Sequence, residues 1–260
     1  MLEYTDMTGH KLRLAGVPQR IVSVVPSQTE LLHDLGLEQE VIGITRFCIH
    51  PQQWFRSKQR IGGTKQLHLD KIAALQPDLI LANKEENTRE QIEALAAQFP
   101  VWTSDISNLD QALQMIREVA LITGKQQEGL DLATRISRDF SQLQPAGQRK
   151  KAAYFIWKNP WMTVGNDTFI HDMLQRCGWS NVYGQQTRYP ATSLEELQAL
   201  APDLVLLSSE PYPFKEQHRA EIRQVLPQAA IRLVDGELFS WYGSRLCAST
   251  AYFKGLQQDC

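Results

Sequence analysis

No stretch of this chain stays apolar long enough to cross a bilayer. Its longest apolar runs, such as IVSVV (21–25) and DLVLL (203–207), are strand-sized, far short of the roughly 20 residues a spanning helix needs. The opening MLEYTDMTGHKLRL lacks the basic start, apolar stretch and small-residue cleavage site of an export signal. With Met1 as the native start, the expectation is therefore a cytoplasmic protein. Neither sign of charge is in excess: 27 Lys and Arg against 29 Asp and Glu leave a net charge of −2. That argues against a nucleic-acid surface or an anionic membrane as partner. The four cysteines, Cys48, Cys177, Cys247 and Cys260, are scattered and form no C-x-x-C pair. In a reducing compartment they read as unpaired thiols. There is no P-loop, no G-x-G-x-x-G, no G-x-S-x-G and no H-E-x-x-H, which removes the sequence support for nucleotide, dinucleotide, serine-hydrolase and zinc-protease chemistry.

What the chain does have is one block written twice. LDKIAALQPDLILA (69–82) returns 125 positions later as LEELQALAPDLVLL (194–207). Leu69, Ala74, Leu75, Pro77, Asp78, Leu79 and Leu81 recur as Leu194, Ala199, Leu200, Pro202, Asp203, Leu204 and Leu206. In each copy apolar residues fall every third position, which predicts a short helix. A proline stops it, and the continuous apolar run beyond predicts a strand covered on both faces. Ser193 with Glu196 predicts a capping box at the head of the second copy.

A similar prelude stands upstream of each copy. RIVSVV (20–25) predicts a strand, and PSQTELLHDLG a helix with Ser27 and Glu30 as a capping box and Gly36 as its stop. EVIGI (40–44) predicts the next strand. In the second half KAAYFIW (151–157) predicts a strand, DTFIHDMLQRCG (167–178) a helix and NVYG a weaker strand. This alternation implies α/β lobes with parallel sheets and right-handed crossovers. Between them, 108–124 carries Leu109, Ala112, Leu113, Ile116 and Ala120 at helical spacing and stops at Gly124. The next stretch continues with Leu130, Ala133, Ile136, Phe140 and Leu143, until Pro145 and Gly147 close it. A helix over 125–143 would be about 28 Å long, enough to strap one lobe to the other. The expected organisation is an N-terminal α/β lobe (1–107), a helical connector (108–148) and a C-terminal α/β lobe (149–260). These would be two Rossmann-like lobes with a cleft between, and a monomer.

Ligands of open α/β sheets sit beyond the carboxyl ends of the strands, so the loops after each strand nominate the site. After EVIGI come Arg46, Phe47, Cys48, His50 and Trp54; after DLILA come Asn83, Lys84, Glu85, Glu86 and Asn87. In the second half YFIW leads to Trp157, Lys158, Trp161 and Asp167. DLVLLS leads to Glu210, Tyr212 and Phe214, and IRLVDG to Phe239, Trp241, Tyr242 and Arg245. Four of the six tryptophans fall on these loops. Such residues offer large rigid faces to a bulky ligand. Trp54, Trp157, Trp161, Trp241 and Tyr242 are the expected stacking residues, with Phe47, His50, Glu85 and Tyr212 beside them. Arg46, Lys84, Lys158 and Arg245, or Ser244 in place of the last, are the expected partners of carboxylate or phosphate groups.

Taken in order, RIVSVVPSQTELLHDLG, GGTKQLHLDKIAALQPDLILA, the helical connector and SLEELQALAPDLVLLS resemble the cluster III substrate-binding proteins of ABC importers. The resemblance runs from about 18 to 255 and is nearest the branch that binds vitamin B12. It implies a two-lobed receptor in the periplasm, neither an enzyme nor a holder of an intrinsic cofactor. Such a receptor catches cobalamin, a ferric siderophore or haem and passes it to a membrane permease. By the same resemblance Asp70 and Glu195 match the acidic residues that dock on permease arginines. Cys177 matches a disulfide cysteine whose partner position lies near Cys260.

Two other readings stay open. Neighbouring subfamilies hold zinc or manganese with His and carboxylates. Here only His50, two residues from Cys48, falls on a strand-tip loop, and it is a candidate axial ligand to a metal already held by a macrocycle. A cytoplasmic corrinoid- or chelate-handling enzyme or carrier on the same fold would use Lys84, Glu85 and Glu86 as an acid–base set. That reading rests on fold analogy.

Overall fold

The computed structural model describes residues 1–143 and 149–258, and the chain divides into two compact units. The first comprises Met1–Asp105, Asp110–Arg135 and Tyr242–Arg245; the second comprises Ile106–Leu109, Ile136–Trp241 and Leu246–Cys260.

The first unit opens with an antiparallel hairpin, β1 (Leu2–Thr5) and β2 (Lys11–Leu14), which the sequence pattern did not announce. There follow β3 (Ile21–Ser23), α1 (Pro26–Asp34), β4 (Val41–Ile44), α2 (Gln52–Ser57), β5 (Gln59–Arg60), β6 (Gly62–Gly63), β7 (Gln66–Leu67), α3 (Leu69–Ala74), β8 (Leu79–Asn83), α4 (Arg89–Ala96) and β9 (Val101–Ser104). The main sheet runs β5-β4-β3-β8-β9, parallel throughout. Val22, Val24, Ile61, Ile72, Ile80 and Leu95 fill the core on one of its faces. The capping box expected at Ser27 and Glu30 does not form. α1 begins at Pro26 with no side-chain cap, Ser27 is buried in its first turn, and Glu30 turns to Arg245 instead.

The connector is a pair of helices, α5 (Leu109–Ile122) and α6 (Gln126–Ser141), turned through Gly124 at φ +71°. A Cβ at Gly129 would lie 2.2 Å from that of Ala120, so the glycine is what lets α6 lie against α5. With 16 residues α6 is about 24 Å long. It passes from the first unit into the second at Arg135–Ile136, so the connector is shared rather than a unit of its own. Pro145 and Gly147 lie outside the described residues.

The second unit holds β10 (Lys151–Trp157), β11 (Trp161–Thr163), α7 (Phe169–Arg176), β12 (Ser180–Asn181), β13 (Ala191–Thr192), α8 (Leu194–Leu200), β14 (Leu204–Ser208), α9 (Glu216–Val225), β15 (Ala230–Val234), α10 (Glu237–Ser240) and α11 (Leu246–Gln258). Here the expected parallel sheet carries an antiparallel edge. β10, β14 and β15 are parallel, but β11 folds back antiparallel on β10 and pairs β13 antiparallel. Phe155, Leu197, Val205, Leu207, Phe214 and Ile222 form the core.

The repeated block folds the same way in both units, which explains why it is written twice. α3 and α8 each end in a non-glycine residue at φ +45°, Gln76 and Ala201, and the proline follows. The next residue pins the neighbouring strand. Asp78 accepts the N–H groups of Gln19 and Arg20 at 2.8 Å each, and Asp203 accepts that of Lys151 at 2.8 Å. Those strand-leading basic residues reach on to the helix end: Arg20 Nη2 donates to the Leu75 carbonyl at 2.6 Å, and Lys151 Nζ to the Leu200 carbonyl at 3.0 Å. A helix leaves its last carbonyls unpaired, and cations there also meet the negative end of its dipole. The Pro-Asp-Leu signature is thus a clasp between helix end and strand start.

Candidate functional site

In the first unit the loop after β4 splits its residues between solvent and core. Arg46 and Phe47 are exposed, Phe47 at 48%, with the Arg46 guanidinium 5.0 Å from the ring centre. Cys48 is fully buried, its Sγ 3.1 Å from the hydroxyls of both Thr29 and Thr45, and burial pushes the thiol pKa up. It is therefore a core residue and not half of a metal pair with the half-buried His50. Trp54 corrects an expectation. Its indole is 0% exposed, lies edge-on to His33 at 5.3 Å and donates Nε1–H to Glu38 Oε2 at 2.6 Å. An indole with no open face cannot stack on a ligand, so its role is packing.

The loop after β8 is braced by its own asparagines. Asn83 Oδ1 accepts the N–H groups of Glu85 and Glu86 at 2.9 and 3.0 Å, and Asn87 Oδ1 accepts that of Asn83 at 2.8 Å. Lys84 pairs with Asp105 at 2.5 Å rather than with Glu85 or Glu86. Burial raises the Glu86 pKa, opposed by Lys65. Lys65 Nζ itself donates to the Glu85 carbonyl. A cavity of about 610 Å³ runs beside this loop, floored by Ile92, Ala96 and Val101.

The second unit gathers aromatics where β10 and β14 end. Trp157, the last residue of β10, is 40% exposed and meets Tyr212 edge-on at 5.6 Å. Tyr212 touches Phe214 at 4.8 Å, and Trp161 stacks on Phe214 at 5.7 Å with 9° between planes. His218 closes the cluster behind them, 5.4 Å from both Tyr212 and Phe214. Lys158 lies over the Trp161 ring at 4.8 Å, but its ammonium is bound to Glu221. A cavity of about 430 Å³ opens next to Phe214, between the ends of β14 and β15.

The last nominated loop turns inward. Trp241 and Tyr242 are only 8% and 5% exposed. Glu210 Oε1 accepts both Trp241 Nε1–H and the Ser240 hydroxyl at 2.9 Å, and Arg245 is bound to Glu30. These residues are committed to internal contacts, which corrects their expected place against a ligand. Ser244 is buried, its hydroxyl without a hydrogen-bond partner among the described residues. Asp70 and Glu195 are exposed in the first turns of α3 and α8, at matching points of the repeated block. Cys177 is buried at the end of α7; Cys260 lies outside the described residues. Among the described residues, no three His, Cys, Asp or Glu side chains come together as a metal site.

Of the nominated residues, the structure thus brings Trp157, Lys158, Trp161 and Tyr212 together in the second unit and sets Arg46 beside Phe47 in the first. Sequence reasoning missed Arg60, His68 and Lys71, which line a cavity with Arg46. Arg60 ends a two-residue strand and carries no periodic signal.

A family described as periplasmic binding protein matches residues 21–229. The vitamin B12-binding protein of Pectobacterium atrosepticum is 26% identical over 201 residues, covering 74% of this chain and 72% of the relative. Among solved structures, the periplasmic vitamin B12 binding protein of Vibrio cholerae superposes with a TM-score of 0.79 at 19% identity. That match covers 94% of this chain and 98% of that one. A periplasmic haem-binding protein from Pseudomonas aeruginosa gives 0.77 at 22% identity over 92% of each.

Proposed function

The chain belongs to that family of periplasmic binding proteins, carriers rather than enzymes, and from this premise we propose that it is the substrate-binding protein of an ABC-type importer for a bulky metal chelate. Cobalamin is the first candidate and haem or a ferric siderophore the next; the chelate is cargo, not a resident cofactor. The observation that carries the reading is the exposed Trp157 set edge-on to Tyr212 where two parallel strands end. Rigid aromatic faces at that edge suit a flat, largely apolar macrocycle. Phe47 and Arg46 offer a second face of the same kind in the first unit, an aromatic ring with a cation beside it.

Asp70 and Glu195 are the proposed contacts to permease arginines, and the periplasm the proposed compartment. No helix among the described residues is long and apolar enough to cross a membrane. The test is retention of the chelate through gel filtration. Cobalamin, haemin and a ferric catecholate are each mixed with the protein, and the visible absorbance eluting with it is measured. One of them co-eluting at about one per chain is expected; none co-eluting overturns the proposal.

A further inference from the structure

We infer that the first unit carries an oxyanion subsite, a cavity of about 230 Å³ lined by Arg46, Arg60, His68 and Lys71, which holds a phosphate or carboxylate group. Arg46 follows β4 and Arg60 ends β5, so both leave the carboxyl ends of parallel strands, where such sheets bind ligands. Gly62, Gly63 and Gln66 complete the lining, and no carboxylate belongs to it.

Two arginines and a lysine therefore face one small space, and none of them makes an ion pair among the described residues. The contrast with the other nominated cations is direct: Lys84, Lys158 and Arg245 are each taken by a carboxylate. Like charges around one cavity repel unless an anion joins them.

Both guanidinium groups are held by rings instead of acids. Arg60 lies 4.3 Å from the centre of the Phe55 ring, and Arg46 lies 5.0 Å from that of Phe47. An aromatic face orients a guanidinium without neutralising it and leaves its N–H edge to donate in pairs to an oxyanion. The two glycines clear the floor. A Cβ on Gly63 would lie 3.0 Å from the Phe47 ring and 3.3 Å from Arg46 Nε. Gly62 has φ +107°, and a Cβ there would meet the Gln66 carbonyl at 2.3 Å. The cavity is below the roughly 300–1,000 Å³ of pockets that engulf a whole small molecule, so it suits one anionic group.

That group comes either from the bound chelate, a reading that rests on the proposed function, or from a free small oxyanion. Isothermal titration of the full chain with inorganic phosphate and with citrate, at low salt, tests the subsite. The native protein is expected to bind at least one of them at one site, more weakly as salt rises. The Arg46→Gln/Arg60→Gln variant and the single Lys71→Gln variant, each checked for a native circular dichroism spectrum, should lose affinity tenfold or more. Lys254→Gln, the same charge change as Lys71→Gln at an exposed position of α11, should not. Titration of haemin against its dimethyl ester, and of cobalamin against cobinamide, separates the sources. Phosphate competing with the anionic chelate assigns the anion to the chelate; phosphate binding without competition assigns it to a free oxyanion. If no chelate binds while phosphate does, the chelate reading fails and the subsite stands. Absence of binding by both oxyanions, or unchanged affinity in the arginine variant, overturns the subsite.

Discussion

Arg245 grips Glu30 through two hydrogen bonds, Nε to Oε2 at 2.8 Å and Nη2 to Oε1 at 2.6 Å, joining positions 215 apart in the chain. Both side chains are largely buried, and a forked, charge-assisted pair is among the stronger polar contacts a protein makes. Arg245→Ala leaves a buried carboxylate without its partner and is expected to cost about 2–3 kcal/mol. A double-mutant cycle with Glu30→Ala, read by urea denaturation, should give a coupling of about 1–3 kcal/mol. Additive single effects would show that the pair does not hold the two segments together.

Trp54 and Trp157 should separate in fluorescence. Trp157 is 40% exposed and Trp54 is 0% exposed. Trp157→Phe is expected to remove much of the quenching by acrylamide and by a bound chelate, while Trp54→Phe leaves both nearly unchanged. Trp54→Ala should instead cost about 3–5 kcal/mol of stability, the usual range for emptying an aromatic core site.

The aromatic cluster of the second unit should loosen in mild acid. Burial first, then Lys158, holds the His218 pKa below its ordinary value of 6.5; Glu221 opposes this and Lys215 adds to it. The unfolded chain therefore takes up a proton before the folded one does. Stability from this group is complete above about pH 6.5 and is lost as pH falls from there toward the depressed folded pKa. Urea midpoints at pH 7.5 and 5.0 should differ less in His218→Asn than in the native protein. An equal difference would remove His218 from the cause.

Asp70 and Glu195 are exposed at equivalent helix starts. Asp70→Lys/Glu195→Lys is expected to bind chelate as the native protein does but to abolish its stimulation of ATP hydrolysis by a reconstituted permease. Unimpaired stimulation would remove these residues from docking.

The repeated block was legible because everything that shapes it is local: a three-residue apolar rhythm, a proline, an aspartate and an apolar run. The strand-tip loops were legible as positions but not as side-chain directions. Trp54 stands where a ligand contact was expected, yet α2 turns it inward onto Glu38. Lys84, Lys158 and Arg245 looked available because their partners, Asp105, Glu221 and Glu30, lie 21, 63 and 215 residues away. No pattern of periodicity links such pairs. The antiparallel β11 was hidden for a related reason. WMTV reads as loop until β10 gives it an edge to pair with.

The most direct test of the carrier function is a fluorescence titration of the native chain and of Trp157→Ala with cobalamin, haemin and a ferric catecholate. Saturable quenching by at least one chelate, at one per chain, is expected. Its midpoint should move to at least tenfold higher concentration in the variant. Absence of saturable quenching by all three chelates, or identical midpoints in both proteins, would contradict it.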